Sequence, residues 1–236
     1  MKFCRAYINS LKKCVIPVTY FYIVFIMICY ISASLYVPSL PVYHVKYNTI
    51  KKQIQSFDLL FFTCDELTSY IGKICQKCAY THIGMTFRIN DKLYLWEADN
   101  HDSIFYKGVD LIPLEKVLDD YPSKHYALQK INMNEQRLKK SMIYFLNVYL
   151  AQHKNKNFKY ELTTFINAFM KKNINHHQSP IDDGFFCSEL IAHTMAYCKL
   201  MKKTLPYWAY TPSDFYYRRI VLEKGVTYGK LIPFMY

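Results

Sequence analysis

The sequence predicts an α+β fold in which an antiparallel sheet packs against helices. Residues 81–98 show the alternation of two strands joined by a tight turn. Residues 57–62 form a short apolar run of the kind that becomes a buried strand. Residues 134–151 and 188–200 instead place apolar side chains on one stripe at helical spacing. Strands and separate helices in one chain of this length indicate a single α+β core.

The composition is that of a folded protein with one sizeable core and an appendage. The chain has 236 residues, and 52% of them are hydrophobic, a share too high for a disordered chain. The formal net charge of +12 favours anionic partners such as lipid headgroups or nucleic acid. The lysines are scattered, however, and the sequence has no RNA-recognition, zinc-finger or helix-turn-helix signature. We therefore expect solvated lysine faces and no nucleic-acid partner.

The N-terminal part of the chain contains a long uncharged segment. Residues 15–37 hold no charged side chain and would extend about 34 Å as a helix, enough to cross the hydrocarbon core of a bilayer. We predict a single-pass membrane anchor in contact with lipid. The alternative is a signal peptide cleaved after residues 32–34. Basic residues precede the segment, so the positive-inside rule favours a cytoplasmic N-terminus with the domain on the non-cytoplasmic side.

These features divide the chain into four parts. A basic tail covers residues 1–14, and the anchor or signal peptide covers residues 15–37. Residues 38–56 contain two prolines and are predicted to be a connector. The globular domain is predicted to cover residues 57–236. Its shorter patterns predict helices at 65–78 and 211–215 and strands at 111–114, 126–131, 220–222 and 228–232.

The predicted hairpin brings two carboxylates towards one histidine. If residues 90–91 form a two-residue loop, Glu97 faces Gly84 across the hairpin. Side chains alternate along a strand, so Gly84 shares a face with His82, and Glu97 is the diagonal neighbour of that histidine. Asp99 would lie directly opposite His82 if the strand extends that far. Glu97 is therefore the candidate for orienting the imidazole, and Asp99 is its rival.

Cys187 lies where the helix predicted at residues 188–200 begins. The unpaired N–H groups and the positive end of the helix dipole stabilise a thiolate at such a position. The backbone N–H of Cys187 could also stabilise a tetrahedral oxyanion. A free cysteine is more often only a small buried hydrophobic residue. The presence of His82 and Glu97 favours a catalytic role for Cys187, because a thiol nucleophile needs a base and a group that orients the base.

The sequence around these residues resembles the permuted papain-like enzymes, the circularly permuted branch of the NlpC/P60 superfamily. That branch includes YiiX-like hydrolases, lecithin:retinol acyltransferase and uncharacterised poxvirus proteins. The matching segments occur in family order at residues 57–61, 81–85, 96–98, 186–190 and 211–214.

The resemblance implies an antiparallel sheet packed on helices, with Cys187 as nucleophile, His82 as general base and Glu97 as orienting group. It implies no cofactor. Asp58 is carried over as a substrate-binding or oxyanion residue, together with the Cys187 backbone N–H. Phe57 departs from the family pattern, which often has glycine there, and other members use a second histidine as the third group.

The remaining cysteines allow two other interpretations. Cys75 and Cys78 form a C-x-x-C motif, but a zinc site there would consume His82, and the sequence has no second such motif. We therefore predict no metal. In an oxidising compartment Cys64, Cys75, Cys78 and Cys198 could pair and leave Cys187 free.

The sequence thus predicts a membrane-anchored cysteine hydrolase or acyltransferase that acts on an amide or ester bond through an acyl-thioester intermediate. The alternative is a non-catalytic membrane-tethered binding protein or virion structural protein on the same fold. The sequence leaves open the choice between lipid and peptide substrates, the choice between hydrolysis and acyl transfer, and the oligomeric state.

Overall fold

A computed structural model describes most of the predicted domain. The described residues are 45–63, 67–99, 108–121, 125–156 and 184–236, with Val24 and Met27, and for 67–71 only the backbone is described. The predicted anchor at 15–37 otherwise lies outside them. Among the described residues, no helix combines the length and the apolar character needed to cross a bilayer.

Seven strands of the described residues form one sheet. They are β1 (Val45–Lys46), β2 (Leu59–Phe62), β3 (His82–Ile89), β4 (Lys92–Asp99), β5 (Gly108–Pro113), β6 (His125–Met133) and β7 (Val226–Met235). Their order in the sheet is β1-β7-β6-β2-β3-β4-β5. Every neighbouring pair is antiparallel except β1 and β7, which are parallel. The sheet is thus largely antiparallel, as the sequence predicts.

The helices cover both faces of this sheet. They are α1 (Tyr47–Ile50), α2 (Leu67–Gln76), α3 (Leu114–Asp120), α4 (Glu135–Tyr144), α5 (Leu150–His153), α6 (Cys187–Tyr197) and α7 (Pro212–Tyr216). A π-helical turn, Phe145–Tyr149, joins α4 to α5, and short 3₁₀ turns cover Lys51–Gln53 and Tyr207–Ala209. The helix predicted at 134–151 is therefore present, with a wider turn near its middle.

Each face of the sheet has its own apolar core. On one face the inward side chains of β3 and β4 pack with α6, the cluster including Met85, Phe87, Trp96, Leu190 and Ile191. On the other face Leu60, Leu93 and Leu95 pack with residues of α1 and α3. Alternating side chains on β4 thus enter different cores, which fixes the register of the hairpin.

Residues 45–56, predicted as part of a connector, belong instead to the folded unit. Val45 and Lys46 pair with the end of β7. Tyr47, Ile50 and Ile54 are buried in the second core. The segment is too short and too polar for periodicity to reveal it, because few of its side chains face inward. Its burial results from contacts with β7, which lies far away in the sequence.

The end of the chain also differs from the prediction. The strand expected at 220–222 is reduced to an isolated bridge between Leu222 and Met201. A longer strand, Val226–Met235, takes up the second predicted segment. Gly225 precedes it with a positive φ of 83°, a conformation that suits glycine and turns the chain into the sheet.

The π-helical turn directs aromatic residues into a cluster behind α6. The Tyr149 hydroxyl forms a 2.7 Å hydrogen bond with Nδ1 of His193. The His153 and His193 rings lie 5.2 Å apart. Burial lowers the pKa of His193 to about 4, with smaller contributions from the neighbouring charges of His153, Lys156 and Lys203. His193 is therefore a neutral imidazole held inside the core at neutral pH.

This histidine should make the fold sensitive to acid. The unfolded chain binds a proton at the ordinary histidine pKa of 6.5, whereas the folded chain does so only near 4. The stability that the neutral ring contributes is thus complete above pH 6.5 and is lost as the pH falls towards 4. The expected loss is about 3 kcal/mol. Urea unfolding at pH 7 and pH 4 measures it.

The matched variant is His193→Phe, which keeps an aromatic ring without a titrating group. It should be less stable than the wild type at pH 7, because the Tyr149 hydroxyl loses its hydrogen bond to the imidazole, yet it should lose less stability on acidification. Equal losses in the two proteins would mean that His193 does not carry the acid sensitivity.

Candidate functional site

His82 is the first residue of β3 and lies at one end of the sheet. It pairs with Phe62 of β2. Its ring meets the Phe62 ring edge to face, with centroids 5.2 Å apart, and stacks against Tyr121 at 6.1 Å. The side chain is 11% exposed. Two aromatic walls thus hold the imidazole and limit its rotation.

The two predicted carboxylates both approach this imidazole. The β3–β4 ladder runs from Ile89 opposite Lys92 to Met85 opposite Trp96, as a two-residue turn predicts. Glu97 Oε2 lies 2.9 Å from His82 Nε2 and forms a hydrogen bond with it. Asp99 Oδ2 lies 3.9 Å from the same nitrogen. Glu97 is therefore the direct partner, and Asp99 adds negative charge from slightly farther away.

Cys187 begins α6, and several contacts fix this helix in place. The Trp96 indole N–H donates to the Thr194 hydroxyl at 3.0 Å, tying α6 to β4. The Ser188 hydroxyl donates to the Tyr210 carbonyl at 2.8 Å. The Glu189 carboxylate accepts from the Phe186 backbone N–H at 3.4 Å, closing the first turn. Cys187 itself is a half-buried free thiol.

Cys187 and His82 interact across this end of the sheet. Burial by itself would lower the pKa of His82, because desolvation disfavours the charged ring. Electrostatic interactions with Cys187 and Asp99 oppose that effect, and so do side-chain hydrogen bonds to Cys187 and Glu97. The result is a His82 pKa well above its ordinary value. The structure thus brings thiol, imidazole and carboxylates into one cluster.

Asp58 does not join this cluster, so the substrate or oxyanion role that the resemblance implies for it stays a prediction. It precedes β2 at the end opposite to the residue that pairs with His82, about 13 Å away along the strand. Its carboxylate accepts from the backbone N–H groups of Gln55 and Ile131 and pairs with Lys130. Asp58 is fully buried, and its hydrogen-bonding capacity serves the fold.

The other described cysteines differ from Cys187 in their surroundings. Burial raises the pKa of Cys78 to about 11 and that of Cys198 to about 12, so neither is an effective nucleophile at neutral pH. Cys75 is exposed. In the structure no disulfide links Cys75, Cys78 and Cys198. Cys64 lies outside the described residues.

A cation could be held by residues of the site itself. Among the described residues, His82, Glu97 and Asp99 offer one nitrogen and two oxygens that all lie within 4.8 Å of one another. One imidazole and two carboxylates suit a divalent cation such as Zn²⁺ or Mn²⁺. The C-x-x-C motif is not part of this set. The sequence prediction of no metal rests on the C-x-x-C motif and does not consider this set, and it stays a prediction.

Sequence reasoning also misses the aromatic walls of the site. Phe62 belongs to a recognised strand, but its contact with His82 depends on strand pairing. Tyr121 follows the short helix α3, which the sequence does not predict, and only its neighbouring Pro122 indicates an element boundary. No local pattern indicates that Tyr121 packs on a histidine almost forty positions earlier.

Comparisons with known proteins found a similar sequence and a similar structure. No protein-family model matches the chain. An uncharacterised protein, R372 of Acanthamoeba polyphaga mimivirus, is 20% identical over 217 residues, a match that covers 80% of this chain and 85% of the viral protein. The crystal structure of the metalloprotein yiiX from Escherichia coli O157:H7 superposes with a TM-score of 0.50. That match is 14% identical and covers 75% of this chain and 97% of yiiX.

The likeness to yiiX concerns architecture. It agrees with the predicted α+β fold, in which a largely antiparallel sheet packs on helices. At this level of identity it carries no information on catalysis.

Proposed function

We propose that this protein is a cysteine-dependent hydrolase or acyltransferase that acts on an amide or ester bond. One observation carries the proposal: the buried imidazole of His82 bonds to Glu97 through Nε2 while it also interacts with the Cys187 thiol. A thiol at a helix start, a base and an orienting carboxylate are the parts of an activated sulfur nucleophile. The 2.9 Å distance between His82 and Glu97 and the hydrogen bond between His82 and Cys187 support this role.

The chemistry follows from which nitrogen carries the proton. A carboxylate only accepts hydrogen bonds, so Glu97 holds a proton on Nε2 of His82. Nδ1 is then the basic nitrogen and receives the proton of the Cys187 thiol. The raised pKa of His82 keeps the resulting imidazolium protonated beside the sulfur. We therefore propose that His82 is the base that takes the thiol proton.

In the first half-reaction the thiolate attacks the carbonyl carbon, and the carbonyl oxygen becomes an oxyanion. The Cys187 backbone N–H is suited to donate to it, because the first N–H groups of a helix have no partner within the helix. As the intermediate collapses, the imidazolium gives its proton to the leaving amine or alcohol. The acyl group stays on sulfur as a thioester. Water or an acceptor hydroxyl or amine, deprotonated by His82, then releases it.

The predicted membrane anchor makes lipid acyl groups the first substrates to test. We propose that residues 15–37 hold the domain at a bilayer surface on the non-cytoplasmic side. A cleaved signal peptide would give the same compartment without the tether. Amide or isopeptide bonds in peptides are the other substrate class, and the non-catalytic binding or virion role is the outcome if no chemistry is found.

Selective alkylation tests the cluster directly. Cys187 should react with iodoacetamide at pH 7 roughly 10-fold faster than Cys75. His82 can take the Cys187 proton, whereas an ordinary thiol is only a few per cent ionised at that pH. Peptide mass spectrometry measures both rates in the same sample. His82→Ala should remove the advantage of Cys187. Glu97→Gln should reduce it in part, and Asp99→Asn should reduce it least because Asp99 is farther from the ring.

The exposed Cys75 is the internal control, since its rate should stay constant in every variant. Equal rates for Cys187 and Cys75 in the wild type would count against an activated thiol. An unchanged Cys187 rate in His82→Ala would exclude His82 as its base.

A metal-binding role for the same residues is the second candidate. It is favoured by the compact set His82, Glu97 and Asp99 and by the fold likeness to a protein described as a metalloprotein. A cation bound to Nε2 would leave the remaining proton of the ring on Nδ1, which could then no longer act as a base. Zinc should therefore slow Cys187 alkylation and a chelator restore it. Alkylation that is insensitive to both would argue against a metal at this position.

A further inference from the structure

A concave surface lies at the end of α6 opposite to Cys187. It is a groove of about 1000 Å³ between α4, the C-terminal end of α6 and the turn that leads into β7. Four cationic side chains line it, and we call it the cationic groove: Arg137, Lys140, Lys199 and Lys224. Since α6 has 11 residues, its two ends are about 15 Å apart. The groove is thus separate from the Cys187 cluster.

No carboxylate of the described residues compensates the charge of the groove. Its lining contains neither aspartate nor glutamate. Within the described part of the chain, none of the four cations forms an ion pair with a carboxylate. Lys139, the neighbour of Lys140 on α4, provides the contrast, because it lies outside the lining and pairs with Glu135 at 2.8 Å. Like charges gathered without partners repel one another, and a bound anion would relieve that repulsion.

One of these cations is held in position. The Arg137 guanidinium donates to the backbone carbonyl of Lys224, which links α4 to the turn before β7. The Arg137 backbone N–H is capped by the Asn134 side chain at 2.8 Å. A guanidinium with a fixed orientation and remaining donors matches the oxygen geometry of a phosphate group better than a mobile ammonium does.

The other wall of the groove is aromatic. Tyr144 and Tyr197 stack with ring centroids 6.0 Å apart and an interplanar angle of 27°. These residues are 37% and 40% exposed, respectively. Tyr207 also lines the groove, with the Lys203 ammonium 4.4 Å from its ring centroid. Exposed tyrosine faces beside these four cations suit a ligand that carries both a planar or apolar part and a negative charge.

We infer that the cationic groove is a binding site for a phosphate ester. The phosphate would contact Arg137, Lys140, Lys199 and Lys224, and the rest of the ligand would pack on the Tyr144 and Tyr197 rings. Two sources have this chemistry, a nucleotide and a phospholipid headgroup. The site is independent of the proposed thiol chemistry, because it involves neither Cys187 nor His82.

Calorimetric titration of the full chain in a neutral detergent tests the inference. The probes are adenosine diphosphate and the short-chain lipid dihexanoyl phosphatidic acid. The groove variant combines Lys140→Gln with Lys199→Gln. The control combines Lys139→Gln with Lys202→Gln, which removes the same charge from positions outside the groove lining. Circular dichroism and thermal melting establish that both variants fold.

The wild type should bind at least one probe, and the groove variant should bind it at least tenfold more weakly. The control should change the dissociation constant by less than twofold. Binding of the nucleotide alone or of the lipid alone identifies the source. Cys187→Ala should bind as the wild type does, so binding is separable from any role of the thiol in catalysis. Equal weakening in the groove variant and the control, or no binding of either probe, would overturn the inference.

Discussion

Replacement of Cys187 by alanine should abolish product formation while leaving the fold intact. The sulfur is the group that would form the acyl-thioester, and no neighbouring described residue offers a comparable nucleophile. Loss of a catalytic nucleophile lowers turnover by at least about 10⁴-fold in enzymes of this kind. Untargeted profiling of lipid and peptide products, with wild type and variant expressed side by side, measures the effect for either substrate class.

Cys75→Ala is the matched control, because it removes another accessible thiol that lies outside the cluster. It should leave the product profile unchanged. Cys187→Ser should also abolish product formation, because a serine hydroxyl has a similar shape but is a much weaker nucleophile. This variant therefore separates the chemical role of the sulfur from its role in packing. If wild type and Cys187→Ala give identical profiles on both lipid and peptide substrates, the protein is a binding or structural protein.

Replacement of Asp58 by alanine should destabilise the fold strongly. The Lys130 side chain is only 14% exposed, and the variant removes the carboxylate that pairs with it. The variant also removes the acceptor for the backbone N–H groups of Gln55 and Ile131. Removal of one member of a buried ion pair costs roughly 3–5 kcal/mol. Urea unfolding followed by circular dichroism measures the free energy of unfolding.

The control for Asp58 is another lysine–carboxylate pair in the same protein. Glu115 pairs with Lys51, but these side chains are 52% and 44% exposed. An exposed pair contributes only about 0–1 kcal/mol, so Glu115→Ala should scarcely change the unfolding midpoint. Similar losses for Asp58→Ala and Glu115→Ala would contradict the structural role assigned to Asp58. A loss of activity without a loss of stability in Asp58→Ala would support its predicted substrate role.

The contrast between Asp58 and Glu97 indicates what sequence patterns convey. Glu97 follows from the parity of one hairpin, whose partners are close in sequence and whose turn fixes the register. Asp58 follows only from a resemblance, and its actual partner Lys130 lies on a strand that no local rule connects with it. Local geometry thus pairs His82 with Glu97, while the contact of Asp58 with Lys130 joins segments that are far apart in the sequence.

The segment at residues 45–56 and the helix α3 escape sequence-based prediction for a related reason. Each buries only a few side chains, too few to give a periodic signal. Their structure depends on surfaces that β7 and the hairpin supply after the sheet has formed. Tyr121, which stacks on His82, is positioned through α3 and therefore could not be assigned to the site from the sequence.

The amino-acid order by itself determined the elements whose interactions are local: the β3–β4 hairpin with its register, the helix that starts at Cys187, and the pairing of His82 with Glu97. The tertiary structure decided the meeting of that pair with the sulfur, the position of Asp58 outside this cluster and the gathering of four cations at the far end of α6. Turn geometry and side-chain alternation act between near neighbours in the chain. Contacts between distant segments depend instead on how the whole sheet pairs and which faces its helices cover.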